Sequence, residues 1–92
     1  MAEPKTKTIT DKEPTLKEMQ EFVGGYIEVA YDDGATQIIC NEEGKLLELP
    51  LNKEATSFWE KELMNNSFYE PLGWQDFIVG NALILKGKAR LT

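Results

Sequence analysis

Two pairs of adjacent acidic residues are the groups in this sequence that come closest to catalytic or metal-binding chemistry. Asp32-Asp33 and Glu42-Glu43 each stand next to a glycine, and the second pair lies within the run Asn41–Lys45. Paired carboxylates can bind a hard cation or transfer protons. Adjacent residues at a strand end point in opposite directions, however, and the chain lacks the spaced Asp/Asn ladder and terminal Glu of a calcium loop. We therefore interpret both pairs mainly as solvated turns.

The other residues that usually carry chemistry are scarce. The sequence has no histidine, which is the commonest general base and the commonest metal ligand, and it has one cysteine, Cys40. A zinc site needs several Cys or His ligands, and Cys40 follows an apolar run that is typical of a buried thiol. We predict a protein that is not an enzyme, with no catalytic residue, no metal site and no cofactor.

A small-ligand binder or a minor enzyme that uses the acidic turn is an alternative that the residues leave open. Six of the nine aromatic residues lie between Phe58 and Phe77, a density that suits either a docking surface or the core of a small domain. A ligand site would need Glu42, Glu43 and Asn52 to share one cleft. The candidate binding residues are Asn41, Glu42, Glu43, Lys45, Asn52, Tyr69 and Trp74.

The amino-terminal half of the chain contains clear signals for a helix and a hairpin. Residues 1–14 are polar and are predicted to be mostly flexible, although the alternation in residues 5–10 also suits an edge strand. Thr15 and Glu18 form a capping-box pattern that begins a helix, and Gly24-Gly25 ends it. Residues 26–31 and 35–40 are predicted to form a hairpin, with Ile27, Val29 and Tyr31 on one face.

The remaining residues predict a third strand, a second helix and one or two further strands. Residues 45–49 are predicted to continue the meander, and Asn52 is the expected cap of a helix from 53 to about 64. Residues 65–75 suggest an ordered loop pinned by aromatic side chains, and residues 76–80 and 82–86 suggest strands. We predict one α+β domain over residues 15–92: a small antiparallel sheet of three to five strands with two α-helices on one face.

The charge balance restricts the class of partner. Sixteen acidic and ten basic residues give a net charge of −6, which disfavours direct nucleic-acid binding because phosphate is recognised by Lys and Arg. The acidity suits a basic host protein as partner, including the alternative of an inhibitor that imitates nucleic acid. No apolar run reaches the length of a membrane span, and residues 1–17 lack the apolar core of a signal peptide, so a cytoplasmic location is expected.

Four segments carry a resemblance to a known family. They are "VGGYIE" at Val23–Glu28, "NEEGK" at Asn41–Lys45, "LPLN" at Leu49–Asn52 and "VG" at Val79-Gly80. Over residues 16 to about 85 the chain resembles domain of unknown function 3846, whose members occur largely in bacteriophages and bacterial mobile elements. The polar "KTKTIT" departs from the more apolar first strand of relatives, which leaves the presence of this strand open.

The resemblance implies a genetic context and no activity. Because small phage accessory proteins commonly bind host factors, we expect an acidic accessory protein that acts by protein–protein binding. Self-association through an uncovered sheet edge, giving a homodimer, remains a further alternative.

Overall fold

The computed structural model describes residues 3–65 and 77–91, which build a four-stranded sheet and two α-helices. Along the chain the order is β1 (Thr6–Ile9), α1 (Leu16–Val23), β2 (Ile27–Asp32), β3 (Thr36–Asn41), α2 (Lys53–Asn65), β4 (Ala82–Lys86) and a 3-10 turn (Gly87–Ala89). The predicted α+β class is confirmed. Neither helix in the described part of the chain is long and apolar enough to span a membrane.

The sheet is mixed rather than wholly antiparallel. Its strand order is β1-β4-β3-β2, in which β3 runs antiparallel to both neighbours and β1 runs parallel to β4. The edge strand that the alternation in residues 5–10 allowed is therefore present. It lies beside the last strand of the chain, and Thr6 is paired with Ala82.

The first helix is formed by local signals. The Thr15 hydroxyl accepts from the Glu18 amide at 3.1 Å, and the Glu18 carboxylate accepts from the Thr15 amide at 3.0 Å, which completes the predicted capping box. Gly24 has a φ of 83° and ends the helix in the left-handed conformation.

The two helices cover opposite faces of the sheet, which differs from the predicted arrangement on one face. Ala55 and Trp59 of α2 pack with Ile38, Cys40 and Ala82, whereas Met19 of α1 packs with Ile39, Leu83 and Leu85. Every residue of β3 is buried, as are four of the five in β4. A strand that is apolar on both sides requires a covering layer on each side, and this requirement places one helix on either face.

A β-bulge in β2 changes which side chains share a face. Val29 is paired with Ile39 but Tyr31 with Ile38, so Ala30 is an extra residue in the ladder. Tyr31 therefore packs in the cluster under α2, whereas Ile27 packs in the cluster under α1. The prediction that Ile27, Val29 and Tyr31 lie on one face is wrong because it assumed an uninterrupted alternation.

Residues 45–49 form helical turns instead of the predicted strand. Leu47 donates its amide to the Glu43 carbonyl at 2.8 Å, and Leu49 donates to the Gly44 carbonyl at 3.0 Å. These local bonds use the backbone groups that a sheet partner would need. Within residues 77–80 the structure contains a single bridge, between Leu51 and Val79, rather than a strand. The predicted aromatic loop at residues 65–75 lies almost wholly outside the described residues.

Candidate functional site

The acidic turn after β3 is organised by a buried asparagine. The Asn41 side-chain oxygen accepts from the Glu43 amide at 2.8 Å, and its amide nitrogen donates to the Val23 carbonyl at 3.1 Å. Asn41 thus shapes the turn and ties it to the end of α1. The approach is close, since a Cβ on Gly25 would lie 3.0 Å from the Asn41 amide nitrogen.

Two glycines let the segments around this turn pack backbone against side chain. A Cβ on Gly44 would lie 2.8 Å from Cγ2 of Val79, and a Cβ on Gly80 would lie 2.7 Å from Cδ1 of Leu49. The Gly80 amide also donates to the Pro50 carbonyl at 2.8 Å. The turn, residues 49–52 and residues 79–80 therefore form one closely packed unit.

The Asn52 side chain is buried and joins several segments through hydrogen bonds, so it is not accessible to a ligand. Its side chain is 2% exposed, and its oxygen accepts from the Thr6 hydroxyl at 3.0 Å and from the Ala55 amide at 2.9 Å. Its nitrogen donates to the Gly80 carbonyl at 2.9 Å. Asn52 is the predicted cap of α2, and it also connects the helix to β1 and to the residues before β4.

Among the described residues, the structure does not bring the acidic turn and Asn52 into one cleft. Glu42 and Glu43 are exposed, and the groups bonded to the Asn52 side chain there belong to Lys5, Thr6, Ala55 and Gly80, none of which is acidic. Lys45 is also exposed, with its Nζ 4.8 Å from the centre of the Phe77 ring, a cation–π contact. The other two candidate residues, Tyr69 and Trp74, lie outside the described residues.

The first acidic pair, Asp32 and Asp33, is hydrogen bonded within the turn that joins β2 to β3. Asp32 accepts from the Gly34 amide and from the Gln37 side chain, and these bonds lower the pKa of its carboxyl. Partial burial raises the pKa of Asp33, but hydrogen bonds from the Ala35 and Thr36 amides outweigh it, so this pKa is lowered too. Carboxyls held in the ionised form are poor proton donors near neutral pH.

Hydrogen bonds also lower the pKa of the Glu18 carboxyl, which lies at the start of α1. Its hydrogen bonds with Thr15, first from the backbone amide and then from the side chain, lower its pKa. Within residues 3–65 and 77–91 no group of three or more His, Cys, Asp and Glu side chains is arranged to hold a metal ion.

Two further amide side chains, those of Asn81 and Gln37, join distant segments through hydrogen bonds that the sequence did not predict. Asn81 accepts from the Lys5 amide at 2.8 Å and donates to the Phe22 carbonyl at 2.9 Å. Gln37 accepts from the Leu91 amide at 2.6 Å and donates to the Leu91 carbonyl at 3.2 Å. Asn81, in a Gly-Asn pair before an apolar run, carried only a turn signal, and nothing local marked Gln37.

An exposed apolar surface beside the acidic turn was also missed. Leu46 is 79% exposed and Leu47 56% exposed, and Leu51 and Phe77 are exposed as well. Lys45 over Phe77 and the bridge between Leu51 and Val79 bring residues 45–51 against residues 77–79. We call Leu46, Leu47, Leu51 and Phe77 the apolar loop surface. The interpretation of residues 45–49 as a strand concealed it.

These observations define a class: a small α+β domain with a helix on each face of a mixed sheet, in which the Asn41, Asn52 and Asn81 side chains are used for structure. The chain belongs to the family described as Domain of unknown function (DUF3846), whose model matches residues 1–90. Comparison with curated proteins and with solved structures gave no match. The family resemblance seen in the sequence is confirmed.

The four segments that carry the family resemblance meet in space. Asn41 binds the carbonyl of Val23, Gly44 lies against Val79, and Leu49 lies against Gly80. The side chains and glycines in these contacts hold turns and chain crossings together. In this chain the four segments therefore serve the construction of the fold.

Proposed function

We propose that this protein is a non-enzymatic accessory protein that binds another protein through the apolar loop surface. The proposed setting is the cytoplasm of a host cell that carries a phage or mobile element, in keeping with the resemblance described above. The observation that carries the proposal is the exposure of Leu46 and Leu47 on a loop whose backbone is held in place.

The rigidity of the loop matters as much as its apolar character. The Leu47 and Leu49 amides are hydrogen bonded within the loop, and the Glu48 amide donates to the Lys45 carbonyl at 3.1 Å. Both ends of the loop are closely packed, because Gly44 lies against the side chain of Val79 and the side chain of Leu49 lies against Gly80. Apolar side chains presented from an ordered loop lose less entropy on binding, which favours affinity.

The surroundings of the loop have the composition of a docking surface. Glu42, Glu43 and Glu48 are exposed next to the two leucines and supply a polar rim. Leu46 and Leu47 are neighbours along the chain, and adjoining exposed apolar side chains rimmed by polar residues are typical of interaction sites. Burial of two exposed leucines would contribute about 3 kcal/mol or more to association before the entropic cost is subtracted.

The non-enzymatic part of the proposal is supported by how the polar groups are used. The Asn41 and Asn52 side chains are buried and committed to backbone partners. Asp32 and Asp33 are committed to the turn that joins β2 to β3. A ligand would have to break one of these structural bonds to reach a buried polar group.

A pull-down from bacterial lysate with a matched pair of variants tests the proposal. Leu46→Ser with Leu47→Ser removes the two most exposed leucines of the loop, and such surface changes should alter stability by less than about 0.5 kcal/mol. The control is Leu16→Ser in α1, because Leu16 and Leu47 are equally exposed at 56%. We expect a discrete protein that is captured by the wild type and the control but lost with the loop variant.

The captured protein is then purified and titrated against all three forms. A dissociation constant that rises at least about tenfold for the loop variant alone supports the proposal. Equal binding by the wild type and the loop variant would reject the loop as the docking surface. A turnover that survives purification and is lost on changing one polar residue would reject the non-enzymatic assignment.

A further inference from the structure

Strand β2 forms an edge of the sheet that is uncovered in the part of the chain that the structure describes. It pairs with β3 on one side, and within residues 3–65 and 77–91 no strand lies on its other side. The Glu42 amide donates to the Tyr26 carbonyl at 2.8 Å, which fixes the phase of the antiparallel ladder. By the alternation of that ladder, Ile27 and Val29 direct their backbone N–H and C=O groups outward.

The stretch of chain that contains this edge is acidic, although Arg90 lies near Asp32 at the end of β2. Residues 18–44 contain seven of the sixteen acidic residues and none of the ten basic ones. Asp32 and Asp33 are used by the β2–β3 turn, whereas Glu28 on β2 and Glu42 beside Tyr26 are exposed. An approaching chain therefore meets backbone groups of Ile27 and Val29 that pair with none of the described residues. It also meets the exposed carboxylate of Glu28, which accepts from the Cys40 thiol at 3.9 Å, whereas the Glu42 carboxylate lies one strand further in.

We propose that β2 accepts an extended basic segment of a partner protein as a fifth strand. The backbone of the added segment pairs with Ile27 and Val29, and its long lysine or arginine side chains face Glu28 and extend across β2 towards Glu42. Addition of a strand to an open edge is an established mode of peptide recognition, in which main-chain hydrogen bonds supply affinity and side chains supply selectivity. This inference rests on the proposed function only in that the partner is a protein.

The bulge at Ala30 limits how the edge is used. It interrupts the ladder between Val29 and Tyr31, so the regular template extends only over residues 27–29. A short template suits a reversible interaction that needs charge complementarity as well as backbone pairing. Tyr26 and Val29 are exposed and provide apolar contacts at its two ends.

The alternative occupants fit less well. A second copy of the chain, paired symmetrically about residue 28, would bring Glu28 against its own equivalent, and like charges across a strand pair are destabilising. A nucleic acid would bring phosphates against the same carboxylate. A basic segment is the one of these three that the local charge attracts.

The edge is tested with a synthetic peptide of about eight residues in alternating lysine and valine, which has the chemistry of the expected segment. The isotope-labelled full chain is titrated with this peptide at about 10 mM and about 150 mM salt, and the amide signals are followed by nuclear magnetic resonance. We expect shifts centred on Ile27 and Val29 and an affinity about tenfold lower at the higher salt concentration. No binding at low salt, or shifts centred elsewhere, overturns the proposal.

Backbone pairing is tested by Val29→Pro against Val29→Thr. Proline removes the outward N–H of residue 29 and leaves the bonds to β3 intact, a position at which edge strands tolerate it. Threonine keeps both the N–H and the β-branched shape. We expect loss of peptide binding with proline and wild-type binding with threonine, provided that circular dichroism shows both to be folded, and equal binding by both overturns the pairing.

Charge complementarity is tested by two double variants of equal net charge. Glu28→Gln with Glu42→Gln should weaken peptide binding about tenfold and flatten its salt dependence. The control, Glu3→Gln with Glu13→Gln, lies in the segments that flank β1 at the opposite edge of the sheet and should bind like the wild type. Equal weakening by both pairs overturns the proposal, because it indicates attraction by net charge alone.

Oligomeric state decides between a foreign segment and a second copy. A dimer of the wild type that is absent with Val29→Pro in light scattering would assign the edge to self-association and overturn the proposal.

The outcomes of these experiments and of the lysate pull-down also separate strand addition at β2 from docking on the apolar loop surface. Peptide binding that fails while loop-dependent capture holds rejects only strand addition, and the reverse result rejects only the apolar loop surface.

Discussion

At the residue scale, the side chains of three asparagines join distant segments within the part of the chain that the structure describes. Asn41, Asn52 and Asn81 each accept from one part of the chain and donate to a carbonyl of another. The amide side chain suits this task because it is donor and acceptor at once and carries no charge to desolvate. A buried amide with its partners satisfied stabilises the fold, whereas loss of the side chain leaves several groups unpaired.

Asn52 therefore predicts a large effect of a small substitution. Asn52→Ala removes the cap of α2 and the bonds to Thr6 and Gly80, and should lower the free energy of unfolding by about 3 kcal/mol. Glu42→Ala, an exposed change in the neighbouring turn, should cost less than about 0.5 kcal/mol. Urea denaturation of both variants measures the difference, and a loss below about 1 kcal/mol for Asn52→Ala would contradict the assigned role.

Asp33 predicts a dependence of stability on pH. Its pKa in the folded protein is below the ordinary value of 3.8, so its contribution is complete above that pH and is lost as the pH falls through the lowered pKa. Asp33→Asn should reduce stability at neutral pH by less than about 1 kcal/mol, because solvent screens this exposed group.

The same variant should also flatten the loss of stability at acid pH. Asp11→Asn, an exposed change between β1 and α1, is the matched control and should retain the wild-type profile. Urea titrations at a series of pH values from neutral down to about pH 2 give both slopes. If the Asp33→Asn profile coincides with that of the control, the Asp33 carboxylate does not contribute to the loss of stability at acid pH.

At the element scale, sequence signals succeeded where structure is local and failed where it is set by distant contacts. The capping box of Thr15, the glycine stop at Gly24 and the hairpin were all readable because a few neighbouring residues determine them. The bulge at Ala30 and the helices on opposite faces were not, since both depend on how β3 and β4 are covered. The turn and cap positions of Asn41 and Asn52 could be read from the sequence, but not their bonds to Val23 and Thr6, which lie 18 and 46 residues away.

The packing of the acidic turn on residues 77–80 can be measured through Gly44. Its φ is not positive, so alanine suits the backbone, and the contact of a Cβ with Val79 at 2.8 Å is what opposes the change. Gly44→Ala should cost about 1–3 kcal/mol by overpacking. Combination with Val79→Ala should recover at least about 1 kcal/mol in a double-mutant cycle, and additive losses would show that the two segments are not coupled.

At the scale of the whole molecule, the least local element is β1. The Lys5 amide reaches the Asn81 side chain across 76 residues, and Thr6 reaches Asn52 across 46. The strand is polar, and Ile9 is its one apolar residue in the cluster under α1. Its sequence alone therefore suggests a flexible segment, whereas its position suggests that it completes the sheet.

Removal of residues 1–10 distinguishes these two interpretations. If the amino-terminal segment is dispensable, the shortened chain should unfold at the same urea concentration as the full chain. We expect instead a loss of about 3 kcal/mol or more, because the deletion uncovers the edge of β4 and removes the bonds of Asn52 to Thr6 and of Asn81 to Lys5. Since Leu83 and Leu85 of β4 lie directly beside Lys7 and Ile9, the uncovered edge should also promote association in light scattering. A shortened chain that remains monomeric and equally stable would place the boundary of the folded domain after β1, as the polar sequence predicts.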